Sequence, residues 1–115
     1  MAAKSARTTK EKVSKYETVS PLLESMYIEF KSLSNKKPDA IINTRKIDIT
    51  NRLLKDIRII LQDEDSINYL DILDGDDIPQ ASDVTLMLSQ YVAALNQFKA
   101  KYYIWDIIDY AWQIE

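Results

Sequence analysis

The chain contains a single glycine, Gly75, among its 115 residues. Many tight β-hairpin turns and phosphate-binding loops depend on glycine, because it adopts positive φ angles without steric cost. The sequence therefore excludes many of those turns and loops. Hydrophobic residues make up 46% of the chain and charged residues 29%, close to the averages of globular domains. These features predict an all-α domain with one hydrophobic core.

The positions of prolines, of helix-capping residues and of regularly spaced apolar residues predict four or five helices, which form a small bundle. Pro21 is expected to end a first helix and to begin a second, because proline is tolerated in the first turn of a helix. A third helix is expected over residues 43–62 and a short one over residues 66–73. Residues 1–8 are polar and basic, which predicts a disordered N-terminal tail. Residues 9–115 would then form a single helical domain.

A long C-terminal helix is predicted from residue 83 to the end, where neither glycine nor proline occurs. Its apolar residues recur at alternating spacings of three and four, the heptad pattern of a packed seam. A helix of about 32 residues is about 48 Å long, whereas a compact chain of this size is about 35 Å across. The domain is therefore elongated, or the helix breaks near residues 96–100, or its end projects into a partner. The expected interface residues are Leu88, Tyr91, Leu95, Phe98, Tyr102, Trp105 and Trp112.

Six of the eleven aromatic residues lie between positions 98 and 112. Tyrosine and tryptophan are enriched at the centres of protein interfaces, where their large rings bury much area. Their concentration at one end predicts an interaction surface. The alternative is that this apolar stripe only fills the core of the chain.

Catalytic and metal-binding chemistry has few candidate residues, because histidine and cysteine are absent. Zinc clusters, Ser-His-Asp triads and Cys-His pairs are thereby excluded. Asp74, Asp76 and Asp77 could offer oxygen ligands to a divalent cation, but they do not fit an EF-hand loop. A solvated turn is sufficient to explain these three aspartates. The sequence motifs of phosphate-binding loops and of nucleophile elbows are also missing. We therefore expect no enzyme activity, no cofactor and no metal site.

The charges alternate in blocks along the chain, although the formal net charge is only −3. Residues 63–83 contain eight acidic residues and no basic one, whereas the N-terminus and the third helix are basic. Basic residues that contact phosphates would suit an alternative function as a DNA- or RNA-associated regulator. The residues for such contacts are Lys4, Arg7, Lys10, Lys12, Lys15, Arg45, Arg52 and Lys55.

Localisation signals are weak in this sequence. The longest unbroken apolar run is five residues, 91–95, whereas a transmembrane helix needs about 20. The N-terminus also lacks the apolar segment of a signal peptide. We therefore expect a cytoplasmic protein without a membrane partner. Its expected function is non-enzymatic protein–protein interaction, either by self-association or as an accessory subunit of a larger complex.

Overall fold

The computed structural model describes residues 6–115, and within them the chain is mostly helical. The elements are α1 (Lys10–Lys36), α2 (Thr44–Ile60), α3 (Ala81–Tyr102), β1 (Tyr103–Asp106) and β2 (Asp109–Trp112). The predicted helical character is confirmed, but the predicted number of helices is wrong. Among the described residues there are three α-helices, and a small antiparallel hairpin of β1 and β2 follows them.

Helix α1 runs through Pro21, where the sequence predicted a boundary between two helices. Proline removes one N–H donor from a helix interior and costs about 3 kcal/mol there. The helix continues because apolar residues on both sides of Pro21 form one stripe, which packs against α2 and α3. Tertiary packing therefore outweighs the local preference for a break. The buried stripe consists of Val13, Tyr16, Val19, Leu23 and Phe30.

Helix α2 agrees closely with the third helix that the sequence predicted. Asn43 caps its N-terminus, and the side-chain oxygen of Asn43 accepts a hydrogen bond from the Lys46 N–H at 2.9 Å. The hydroxyl of the buried Thr50 donates to the Lys46 carbonyl at 2.8 Å, so this polar group is satisfied. The other buried residues of α2 are Ile47, Leu53, Leu54, Ile57 and Ile60.

The acidic segment between α2 and α3 contains two short 3₁₀ turns in place of the α-helix predicted there. Leu70 and Leu73 of this segment are buried. Two side chains of α2 bind its backbone: Asn51 makes two hydrogen bonds of 2.8 Å to Leu73, and Arg58 donates to the Leu70 carbonyl. Because these side chains satisfy backbone groups of the segment, it packs on α2 without α-helical bonds.

Helix α3 ends at Tyr102, so the predicted helix to the C-terminus is wrong. Residues 102–105 are all aromatic or β-branched, and these types favour strands over helices. The Gln113 N–H donates to the Tyr102 carbonyl at 2.7 Å, which closes the hairpin against the end of α3. The sequence missed this hairpin because its turn contains no glycine.

The N-terminal residues meet the C-terminal residues beside the hairpin. Thr8 is buried, and its N–H donates to the Gln113 carbonyl at 2.8 Å. Thr8 also forms a parallel bridge with Ile114. Of the tail that the sequence predicted to be disordered, residues 1–5 lie outside the described residues. Thr8, the last residue of that range, contacts the C-terminal residues through these bonds.

Candidate interaction surface

Five of the seven expected interface residues lie in the chain's own core. Their exposed fractions run from 0% for Leu88 and Tyr91 to 6% for Tyr102. Residues of α1 and α2 belong to the same core cluster as these side chains, and α1 packs against α3. A partner therefore cannot reach these five side chains in this structure. The five are Leu88, Tyr91, Leu95, Phe98 and Tyr102.

Two of these buried tyrosines bind the acidic segment through their hydroxyl groups. The Tyr91 hydroxyl donates to the Asp71 carbonyl at 2.7 Å, and the Tyr102 hydroxyl donates to the Glu64 carboxylate at 2.7 Å. Burial raises the pKa of both tyrosine hydroxyls. Lys101 also donates to Glu64, at 3.1 Å, and this hydrogen bond raises the pKa of Lys101. These groups fasten the acidic segment to α3.

The two remaining expected residues, Trp105 and Trp112, lie on one face of the hairpin. The strand register pairs Trp105 with Tyr110 and Tyr103 with Trp112. Because Tyr102 and Gln113 are hydrogen-bonded, these two aromatic pairs occupy the alternate, non-bonded positions, where side chains approach most closely. We call this row of four rings the aromatic ladder. Its successive centroid distances are 5.2 Å for Trp112–Tyr103, 5.7 Å for Tyr103–Tyr110 and 5.5 Å for Tyr110–Trp105.

The aromatic ladder leads from the core to the surface. At its inner end, the Trp112 ring centroid lies 5.2 Å from that of Tyr16 and 6.0 Å from that of Phe98. At its outer end, Trp105 is 58% exposed and Tyr110 is 55% exposed. The core contacts of Trp112 thus anchor a ladder whose outer rings are open to solvent.

The turn of the hairpin consists of two highly exposed isoleucines. Ile107 is 88% exposed and Ile108 is 83% exposed. Ile107 also has a φ of 56°, which is unfavourable for a β-branched residue. Neither packing within the chain nor backbone preference explains isoleucine at this turn. We call Trp105, Ile107, Ile108 and Tyr110 together the hairpin surface.

Sequence reasoning counted Tyr110 within the aromatic cluster, but it did not include Ile107, Ile108 or Tyr110 among the expected interface residues. A usable signal was nevertheless present, because aromatic residues alternate at positions 103 and 105 and again at 110 and 112. This period of two is typical of strands. The spacing of three and four that begins in α3 continues into the same residues, so it concealed the change of element.

A second apolar surface lies between α1 and α2, as a groove with a volume of about 760 Å³. Val19, Phe30 and Leu53 contribute its buried lining. Leu22, which is 55% exposed, and Ile49, which is 39% exposed, also line it. This α1–α2 groove could not be predicted from the sequence, because the helical spacing of apolar residues does not show which of them another element covers.

The basic residues of the nucleic-acid alternative are interspersed with acidic partners. Lys12 lies 2.7 Å from the Asp63 carboxylate, and Lys15 lies 3.5 Å from the Asp56 carboxylate. Lys4 lies outside the described residues. The remaining residues of this alternative, all of them exposed, are Arg7, Lys10, Arg45, Arg52 and Lys55. Two of the expected phosphate contacts are thus occupied by carboxylates of the same chain.

The acidic turn around Gly75 is organised by a side-chain cap. The Asp74 side chain accepts a hydrogen bond from the Asp76 N–H at 2.9 Å and so caps a 3₁₀ turn. Across residues 6–115, no three acidic side chains are grouped as ligands for a metal ion. None of the helices in this range combines the length and the apolar character that crossing a bilayer requires.

The geometry thus offers two apolar surfaces, one on the hairpin and one between α1 and α2. Both present aliphatic or aromatic side chains to solvent, which suits contact with other apolar groups. The hairpin surface is anchored in the core, whereas the groove lies between two helices. No protein-family model, curated protein or solved structure matches this chain.

Proposed function

We propose that this chain is a protein–protein interaction module that contacts another protein subunit through the hairpin surface. In this role it is an accessory subunit of a larger complex. The observation that carries the proposal is the pair Ile107 and Ile108, which are almost fully exposed at a strained turn. Strained backbone persists where surrounding structure or function requires it. Apolar contact with a partner gives these two residues a role.

The anchoring of the aromatic ladder supports the same proposal. A binding surface on a rigid element loses less conformational entropy on association than one on a mobile loop. Trp112 contacts Tyr16 and Phe98 of the core, so the ring of Trp105 is held in position through Tyr103 and Tyr110. Tryptophan and tyrosine are also the types that most often dominate binding energy.

The size of the hairpin surface indicates how strong the contact is. Burying its two rings and two isoleucines would contribute on the order of 6 kcal/mol before the cost of association. That contribution is sufficient for the centre of an interface, but not for tight binding without surrounding contacts. We therefore expect the tip of the hairpin to insert into a pocket of the partner. The rim of that pocket would contact the rest of β1 and β2.

A photo-crosslinking amino acid at position 108, in the full chain expressed in its native host, tests this proposal. We expect discrete adducts with one or a few proteins, which mass spectrometry identifies. The same crosslinker at Leu86 is the matched control, because Leu86 is 64% exposed on α3 away from the hairpin.

The substitution Trp105→Ala should weaken crosslinking from position 108, because it removes the adjacent ring of the hairpin surface. It should leave thermal stability nearly unchanged, because the ring is 58% exposed. Binding of the purified identified protein should fall about tenfold or more in the same variant. Equal adduct yields at positions 108 and 86 would contradict the proposal, as would unchanged binding by Trp105→Ala.

A further inference from the structure

The α1–α2 groove is independent of the hairpin surface and has no cover in the described part of the chain. Leu22 and Ile49 remain exposed along it, while Val19, Phe30 and Leu53 are buried beneath. In a helical bundle such a groove is the position of a further helix. Each of the two helices that form the groove, α1 and α2, therefore has an apolar side that the described part of the chain leaves uncovered.

The two sides of the groove carry opposite charges. Glu29 lies on the α1 side, and Lys46 and Arg52 lie on the α2 side. Asp56 also lines the α2 side, but Lys15 lies 3.5 Å from its carboxylate and offsets its charge. Across residues 6–115, no ion pair links Glu29 to either basic residue. These charges are therefore available to a partner.

We propose that the groove is filled by a second copy of this chain, related by a two-fold axis parallel to the helices. Such an axis places α1 of each copy over α2 of the other, because it exchanges the two sides of the groove. The interface of a two-fold dimer must be complementary to itself. An apolar centre, with an acidic side that faces a basic side, meets this requirement. Glu29 of each copy then lies over the side of the other copy that carries Lys46 and Arg52.

The dimensions of the groove predict a weak dimer. The groove follows α1 over residues 18–33, a length of about 24 Å, and two packed helices are about 20 Å wide. Its footprint is therefore on the order of 500 Å² per copy, which is at the low end for specific interfaces. We expect a dissociation constant on the order of 10–100 μM. The dimer must therefore be sought at concentrations up to roughly 1 mM.

Two complementary variants of the full chain test this dimer. Glu29→Lys makes the residues at positions 29, 46 and 52 all basic, whereas Lys46→Glu with Arg52→Glu makes all three acidic. Each variant alone should dimerise about tenfold or more weakly than the parent chain, because like charges face each other. An equimolar mixture should form a heterodimer at least as strong as the parent dimer. Among positions 29, 46 and 52, every facing pair in the mixture is attractive, so the sign of this result does not depend on which of these pairs meet.

Charge reversals outside the groove are the matched controls. One control is Glu24→Lys on α1, and the other combines Arg45→Glu and Lys55→Glu on α2. All three residues are exposed and do not line the groove. These variants should dimerise like the parent chain, and mixing them should have no effect. Sedimentation equilibrium measures every species. Recovery in the mixture of groove variants also shows that each variant is folded.

Three results would overturn the proposal. The first is a parent chain that stays monomeric up to roughly 1 mM, which would leave the groove to another protein or a small apolar ligand. The second is dimerisation of both groove variants at the strength of the parent chain. The third is a mixture that does not recover. None of these results affects crosslinking from the hairpin, so failure of the dimer is distinguishable from failure of the proposed function.

Discussion

At the scale of single residues, the two isoleucines of the hairpin turn differ in backbone geometry. Ile107 has a φ of 56°, whereas Ile108 is not among the residues with positive φ. Glycine at position 107 removes strain of about 1–3 kcal/mol, and its greater freedom in the unfolded chain offsets up to about 1 kcal/mol. Ile107→Gly should therefore raise the free energy of unfolding by about 1 kcal/mol.

Ile108→Gly is the matched control, and it should lower the free energy of unfolding by about 0.5–1 kcal/mol. Urea denaturation of both variants at one pH measures the difference. Equal destabilisation by the two substitutions would show that the turn is not strained at Ile107. Both variants should weaken binding of the protein that the crosslinking identifies, because each removes an exposed apolar side chain from the hairpin surface.

Three groups with raised pKa values, among them Tyr91, should make stability depend on alkaline pH. Burial raises the pKa of Tyr91 above the usual value of 10.0, and the pKa values of Tyr102 and Lys101 are raised as well. The folded chain therefore holds these protons at a pH where the unfolded chain releases them. Their contribution to stability is complete below about pH 10 and is lost as pH rises through the folded-state pKa values.

Tyr91→Phe removes one of these groups and also removes the hydrogen bond to the Asp71 carbonyl. At pH 7 the variant should lose about 1 kcal/mol of unfolding free energy. Above about pH 10 its stability should fall less steeply than that of the parent chain. Urea midpoints between pH 7 and pH 11 measure both effects. Parallel curves for the two proteins would show that Tyr91 does not contribute to the alkaline loss.

At the scale of elements, α1 keeps an exposed proline inside a helix that packs along its whole length. Pro21→Ala restores the missing N–H donor and removes the clash with the preceding turn. The free energy of unfolding should rise by up to about 3 kcal/mol. Thermal denaturation measures the change, with Glu24→Ala as the control at an exposed position of the same helix. An unchanged or lower stability in Pro21→Ala would mean that the backbone has adapted to proline.

The elements that sequence reasoning predicted well are those whose local signals agree with the packing. Asn43 caps α2, and the residues from Ile47 to Ile60 keep a helical spacing on the buried side. At Pro21 the local signal and the packing disagree, and the packing decides. The hairpin could not be predicted from turn chemistry, because Ile107 occupies a position where glycine or asparagine is usual.

The candidate site was predictable only in its location near the end of the chain. The sequence placed the interface on one helical stripe, whereas the structure divides that stripe at Tyr102. Residues before this point enter the core, and Trp105 lies on a strand where alternate side chains share a face. The α1–α2 groove depends on how two helices pack, and no spacing within either helix contains that information.

At the scale of the whole molecule, the described residues form a rod, with the hairpin following the end of α3 and the groove running along the side of α1 and α2. Its principal extents are 53 × 24 × 23 Å, and its radius of gyration is 16.1 Å, against about 13 Å for a compact chain of this length. The hairpin follows the C-terminal end of α3, whereas Ile41 and Gln80 form a bridge beside its N-terminal end. A rod of this kind can bind one partner at its end while another copy lies along its side.

Small-angle X-ray scattering distinguishes a dimer formed along the side from one formed at the end. Side-by-side copies of a rod about 23 Å thick would have centres about 20 Å apart, which gives a dimer radius of gyration of roughly 19 Å. Copies joined end to end through their hairpins would have centres about 45 Å apart and a radius of roughly 28 Å. We expect the smaller value, with doubled scattering mass and a longest dimension that exceeds the 53 Å length of one chain by far less than end-to-end joining requires. The two-fold axis parallel to the helices would then place both hairpins at the same end of the dimer, so the dimer would present two copies of the hairpin surface to one partner. A radius near the larger value would instead assign self-association to the hairpin and leave the groove unoccupied.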